Sequence, residues 1–288
     1  MSTDRRTPTD QPLIAPLFHR LVDDAAVFPP GNAALPDAVT AHREHRAAWY
    51  ADLVGPLLVP ASSVDTLTGL LDPAERMAIG IIGDLPIERL GPPDDPRVVV
   101  RQIEAAVAKR GEDPQPGIAR ILDLAGRLPE LDVYAEVPLT FGLLAGLDTI
   151  AEARRAGARV AAKFRTGGLA AELFPTPVEL AAVICACRER ELPFKLTAGL
   201  HHALRHADPE TGFTHHGFLN ILVAAGLAAD GGEVAEVLAA TDAVPLIEPA
   251  RDRRDQPRGL WVGFGSCSMI EPLTDLIRLG LVNGGYEG

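Results

Sequence analysis

Two stretches, Arg159-Val160-Ala161-Ala162-Lys163-Phe164-Arg165-Thr166 and Pro193-Phe194-Lys195-Leu196-Thr197-Ala198-Gly199, are short apolar runs that each carry one lysine. Their length, and the glycines that close them at Gly167-Gly168 and Gly199, mark them as strands. Between them, Pro175 to about Arg190 reads as a helix, so the unit is strand, helix, strand. The same alternation continues on both sides. Strands are predicted at 53–60, 77–83, 97–104, 132–138 and 260–266, with a weaker one at 243–247, and helices at 64–71, 116–127, 142–156, 215–229, 232–240 and 271–282. Apolar runs joined by helical crossovers imply parallel strands covered by helices. Counting the weak strand gives eight, so the expected fold is a (β/α)8 TIM-like barrel. It is preceded by a short helical N-terminal extension: residues 1–52 read as a tail and helices, and residues 53–288 as the barrel. An open doubly wound sheet is the alternative, because no glycine-rich nucleotide fingerprint decides between the two.

Strand side chains alternate between faces, so parity says which residues share the barrel interior. Lys163 falls in register with Ala161 and Arg165, opposite the apolar row Val160, Ala162 and Phe164; Lys195 falls with Thr197, opposite Phe194, Leu196 and Ala198. On the preceding strand Asp132, Tyr134 and Glu136 share one face. Three consecutive strands thus offer polar groups to one interior. Neighbouring strands lie about 4.8 Å apart, so the two lysines are expected to lower each other's pKa, with Glu136 pairing with them. Lysine suits such a place because, unlike arginine, it can lose its proton and attack a carbonyl. The chain has 27 lysines and arginines, of which only three are lysines, and two of those three lie here. The competing explanation is a structural ion-pair network that stiffens the barrel.

The motifs Lys163-Phe164-Arg165-Thr166-Gly167-Gly168 and Lys195-Leu196-Thr197-Ala198-Gly199, with one helix between them, resemble those of class I (Schiff-base) aldolases of the deoxyribose-phosphate aldolase type. In that family one barrel strand carries Lys-Thr-Ser-Thr-Gly, and the next carries lysine followed by small residues and glycine. The resemblance covers roughly residues 160 to 200. It implies that Lys163 forms the imine and that Lys195 lowers its pKa. Phe164-Arg165 replace the family's small Thr-Ser, and Leu200-His201-His202 follow the second glycine. The family's acidic proton relay has no clean counterpart, and Glu136 is the substitute candidate.

Five of the eight histidines, His201, His202, His206, His215 and His216, follow the sixth predicted strand. His201 or Tyr134 is expected to shuttle protons with Glu136, and His202 to contact substrate. A helical segment would put His202 and His206 on one face, so a divalent metal held by Glu136, His201, His202 and His206 is a second expectation, although the spacing matches no zinc signature. Arg165, Thr197 and the strand-end turns at Gly167, Gly168, Gly265 and Ser266 are candidate contacts for an anionic group. Asp23-Asp24 are left without a role. Cys185 and Cys187 read as packing, and Cys267 as near the pocket.

Length and composition limit the partners. A net charge of −12 opposes nucleic acid and anionic membranes. The longest apolar stretches fall short of the roughly 20 residues needed to span a bilayer. Three cysteines without a paired spacing favour a reducing, cytoplasmic setting. The leading expectation is a lyase that uses a lysine Schiff base on a small carbonyl compound bearing phosphate or carboxylate, with no required cofactor. The rivals are a metal-dependent lyase, isomerase or hydrolase, and a non-catalytic barrel that binds a small metabolite. A homo-oligomer is compatible with each.

Overall fold

Apolar side chains at every second strand position draw the strands beneath a shell of helices. The computed structural model describes residues 13–230 and 233–284. In it Val160, Ala162 and Phe164 are fully buried, and the Phe164 ring lies 6.3 Å from that of Phe194 on the next strand. The opposite parity faces inward, as the alternation requires.

Eight strands close the barrel in the order β1 (Val22–Asp24), β10 (Trp261–Ser266), β7 (Phe194–Thr197), β6 (Val160–Arg165), β5 (Asp132–Glu136), β4 (Val98–Ala106), β3 (Met77–Ile82) and β2 (Val54–Pro60). Every neighbouring pair is parallel. A separate antiparallel hairpin, β8 (His206–Ala207) with β9 (Thr214–His215), follows β7. The helices are α1 (Leu35–Ala47), α2 (Val64–Thr68), α3 (Gln115–Arg127), α4 (Leu143–Arg155), α5 (Pro177–Glu189), α6 (Phe218–Asp230), α7 (Val234–Ala239), α8 (Val244–Asp252) and α9 (Ile270–Arg278). After β3 a 3-10 turn, Ile87–Arg89, stands in place of a helix. The fold is therefore the expected (β/α)8 barrel, an architecture that commonly carries enzymes at the C-terminal ends of its strands. No helix among the described residues is long and apolar enough to cross a membrane.

Local sequence explains the best-formed unit. Thr176 and Glu179 make a reciprocal capping box at the start of α5, with Pro177 in its first turn. That box fixes where the β6–α5 loop ends.

One strand differs from expectation. Residues 244–247 belong to α8, with Ala243 as its N-cap and Pro245 in the first helical turn. The missing strand is β1, inside the segment read as an N-terminal extension, and α1 is the barrel's own first helix. Ahead of β1 the expected helical extension is only a 3-10 turn, Pro16–Phe18, and residues 1–12 lie outside the described ones. Three residues are too few for a period to register, and aspartate is depleted in strands. Here both aspartates have buried partners: Asp23 faces inward to Lys195, and Asp24 faces outward, 2.9 Å from His42 Nδ1 on α1.

Candidate active site

Strand register brings the titratable groups together. Glu136 pairs across β5 and β6 with Lys163, which pairs across β6 and β7 with Lys195. Their side chains do not meet as two ammonium groups, because a third residue, Glu104 on β4, comes between them. One Glu104 oxygen is bonded to Lys195, and the other lies 2.7 Å from Lys163 Nζ, off the hydrogen-bond axis. Lys163 also sits 2.9 Å from Glu136 Oε2, and Lys195 also binds Asp23 of β1. Gln102 Nε2 donates to Asp23 at 2.6 Å and to Glu104 at 2.7 Å. Arg165 closes the outer end, its Nη2 3.2 Å from Glu136 Oε1. The result is a chain of alternating charge, Asp23, Lys195, Glu104, Lys163, Glu136, Arg165, that crosses the interior from β1 to β6.

This chain is buried at its centre. Glu104 is 1% exposed, Lys195 2% and Lys163 3%, whereas the Arg165 side chain is 46% exposed. Burial works most strongly against ionising Glu104, yet Lys163 and Lys195 outweigh it and hold the carboxyl down at about 2. Glu136 is likewise held low, burial being overridden by Lys163 and then Arg165. Both lysines lie above their ordinary pKa: burial favours the neutral amine, but Glu104 with Glu136 holds the proton on Lys163, and Asp23 with Glu104 holds it on Lys195. This reverses the expected mutual lowering, because interposed carboxylates screen each ammonium from the other. Asp23 departs the other way among the acids, its pKa raised by burial more than Lys195 lowers it. It is the carboxylate of the chain most ready to take a proton.

Close backbone approach makes this arrangement possible. A Cβ on Gly55 of β2 would stand 2.0 Å from Asp23 Oδ1, so only glycine leaves room for that carboxylate. At the C-terminal rim, Gly167 and Gly199 pack backbone to backbone. There Thr166 Oγ1 donates at 2.8 Å to the carbonyl of Ala198. Ala198 holds φ at +64°, a left-handed conformation that costs a non-glycine residue about 1 kcal/mol or more. The strain lies at the mouth directly after Thr197.

The remaining candidates divide. Tyr134 is buried inside, but it meets Lys195 with its ring, 5.2 Å from Nζ to the centroid, and burial pushes its hydroxyl well up. Thr197 is in register with Arg165 and Gly265 at the rim. Gly168 packs on Leu173, and the hydroxyl of Ser266 donates to the Ser268 carbonyl at 2.8 Å. His201 is not brought to the lysines: its Nδ1 lies 3.2 Å from Glu271, 3.5 Å from Ser266 Oγ and 3.8 Å from Cys267 Sγ. Burial lowers the His201 pKa and raises that of the Cys267 thiol. His202 turns to Asp275 at 3.2 Å.

His206 lies in the hairpin rather than a helix, stacked on His215 at 5.4 Å, with its edge to His202 at 4.8 Å. Among the described residues no group of three or more His, Cys, Asp or Glu side chains is arranged to hold a metal ion. Glu136, His201, His202 and His206 thus do not form the expected donor set: Glu136 lies with Lys163 and Arg165, His201 with Glu271 and His202 with Asp275. His216 and Asn220 are buried hydrogen-bonding residues, tied to Pro175 and to backbone around α7.

Sequence reasoning overlooked Asp23, Gln102 and Glu104. The parity of β4 carried the signal for two of them: Gln102 and Glu104 alternate with Ile103 and Ala105, an acid and an amide on the inward row of a strand whose one other polar residue, Arg101, is exposed. Compared with protein-family models, with curated proteins and with solved structures, the chain matches none.

Proposed function

We propose that this barrel is a lyase of the Schiff-base aldolase kind, acting on a small carbonyl compound that bears a phosphate or carboxylate, with Lys163 as nucleophile. One observation carries this reading: the buried carboxyl of Glu104 stands between two inward lysines on adjacent strands. A carboxylate in that position is the proton relay that the sequence resemblance lacked. Lys163 suits the nucleophile better than Lys195, because it borders Glu136 at the open end of the chain while Lys195 is enclosed by Asp23 and Glu104.

In the resting state Lys163 is an ammonium, so attack begins with proton transfer to Glu104 or Glu136. The free amine then adds to the carbonyl carbon, and loss of water leaves the imine. Lys195 keeps the relay polarised, and Asp23, the most readily protonated acid, is the inner proton store. Arg165 at the mouth suits an anionic substituent.

The test is borohydride reduction in the presence of short aldehydes and ketones carrying phosphate or carboxylate, read by peptide mass spectrometry. A substrate-dependent adduct on Lys163, lost in Lys163→Arg, is expected. No adduct in a folded preparation overturns the imine. The raised pKa of both lysines favours a second reading, a non-catalytic barrel that binds an anionic metabolite; saturable binding without any adduct is its signature.

A further inference from the structure

Beside the outer end of the charge chain, a cleft of about 390 Å³ opens between the β5–α4 and β6–α5 connections, and Glu136 and Arg165 form part of its wall. That volume lies within the range of about 300 to 1,000 Å³ typical of small-molecule sites. Its lining is otherwise mainly aliphatic: Leu139, Leu143, Leu144, Leu173 and Val183. Three exposed large apolar residues, Phe141, Leu144 and Leu169, belong to the same connections and helix start, where a barrel presents its binding loops. Arg110 is the second cation of the wall; Glu172 and Glu179 are the acids besides Glu136, and Glu179 is engaged by the Thr176 cap. Two nitrogens of Arg165 face Glu136, and its half-exposed guanidinium has further donors to offer.

We infer that this cleft binds an aliphatic chain, so that the ligand handled at Lys163 is an anionic carbonyl compound whose apolar segment runs from Arg165 along the leucine wall. The inference rests on the reading above for the head group. Its own content is the chain. Continuity carries it: one Glu136 oxygen contacts Lys163 while the other contacts Arg165, so a head group at that carboxylate has the apolar cleft as its neighbour.

Titration calorimetry of the full chain with acetate, butyrate, hexanoate and octanoate tests this without any imine, since these acids have no reactive carbonyl. Affinity is expected to rise roughly fourfold per added methylene until the cleft is filled. Ala182→Trp, which fills the cleft from α5, should abolish that rise, while Val178→Trp on the same helix, outside the lining, should leave it intact; matched thermal melts establish that both variants fold. A flat series overturns the inference, as does a rise indifferent to Ala182→Trp, or a stable dimer that Leu144→Arg dissociates without any alkanoate binding. The Lys163 adduct with a short carbonyl compound, measured in Ala182→Trp as well, reports separately on the imine.

Discussion

The barrel interior and the segment after β7 both concentrate titratable side chains, but only the interior makes them one system. On β1, β4, β5, β6 and β7, strand register sets six charged side chains at adjoining positions, and each has an opposite charge on at least one side. In the segment from His201 to His216, loop and hairpin backbone turn each ring to a partner of its own: Glu271, Asp275, a neighbouring histidine, or the Pro175 carbonyl. Proximity in sequence brought His202, His206 and His215 ring to ring but gave them no shared opposite charge. Parallel register gathered residues as far apart as Asp23 and Lys195.

The strongest way to break the contrast is Glu104→Gln. It leaves two buried ammonium groups facing a neutral amide, and removing one partner of a buried pair costs about 3 to 5 kcal/mol. Denaturant unfolding should show a loss of that size, and NMR titration should show both lysines falling toward or below their ordinary pKa. A loss under about 1 kcal/mol would mean that the chain is not coupled through Glu104.

Acid should separate the two regions. His216 is held neutral down to about 4, chiefly by burial, with Arg205 and His215 adding to it. Its folded pKa lies below the unfolded value near 6.5, so the opened state takes the proton first, and stability is lost as pH falls from about 6.5 to 4. The loss is on the order of 3 kcal/mol. Glu104, held at about 2, stabilises the fold above its unfolded pKa of about 4.3 and loses that contribution only as pH falls from there toward 2. Asp23, with its raised pKa, has the opposite sign and favours the folded state as it is protonated. Hydrogen exchange at pH 7, 5 and 3 should therefore open residues 201–216 at pH 5 while β4 and β6 stay protected. Earlier loss in β4 would contradict this.

The smallest of these effects sharpens the comparison. Gly55→Ala puts a methyl group where the Asp23 carboxylate stands, and such overpacking costs about 1 to 3 kcal/mol. Unfolding should shift by that amount, with the Lys195 titration altered and the histidine titrations unmoved. Altered histidines would show that the two regions are coupled.

Much of this was legible in the residues themselves. Period-two apolar rows placed seven of the barrel strands and turned Lys163, Lys195 and Glu136 inward, because alternation is a local property of extended backbone. Glu104 obeys the same rule, but the lysines it pairs with stand on strands distant in sequence. The expected metal donors failed for a different reason: loop conformation, unlike strand parity, leaves no periodic trace, so side-chain direction after β7 could not be read.

The sequence by itself determined an α/β chain with two inward lysines on consecutive strands, because hydrophobic period and helix capping act within a few residues. Tertiary structure alone decided that Val22–Asp24 closes the barrel and that Asp23 and Glu104 neutralise the lysines. It also decided that both lysines are held protonated rather than poised as free amines. The physical reason is that pKa follows from which charges lie within a few ångströms in a buried interior. Barrel closure set those neighbours, across separations of 172 and 91 residues between Lys195 and its two acids.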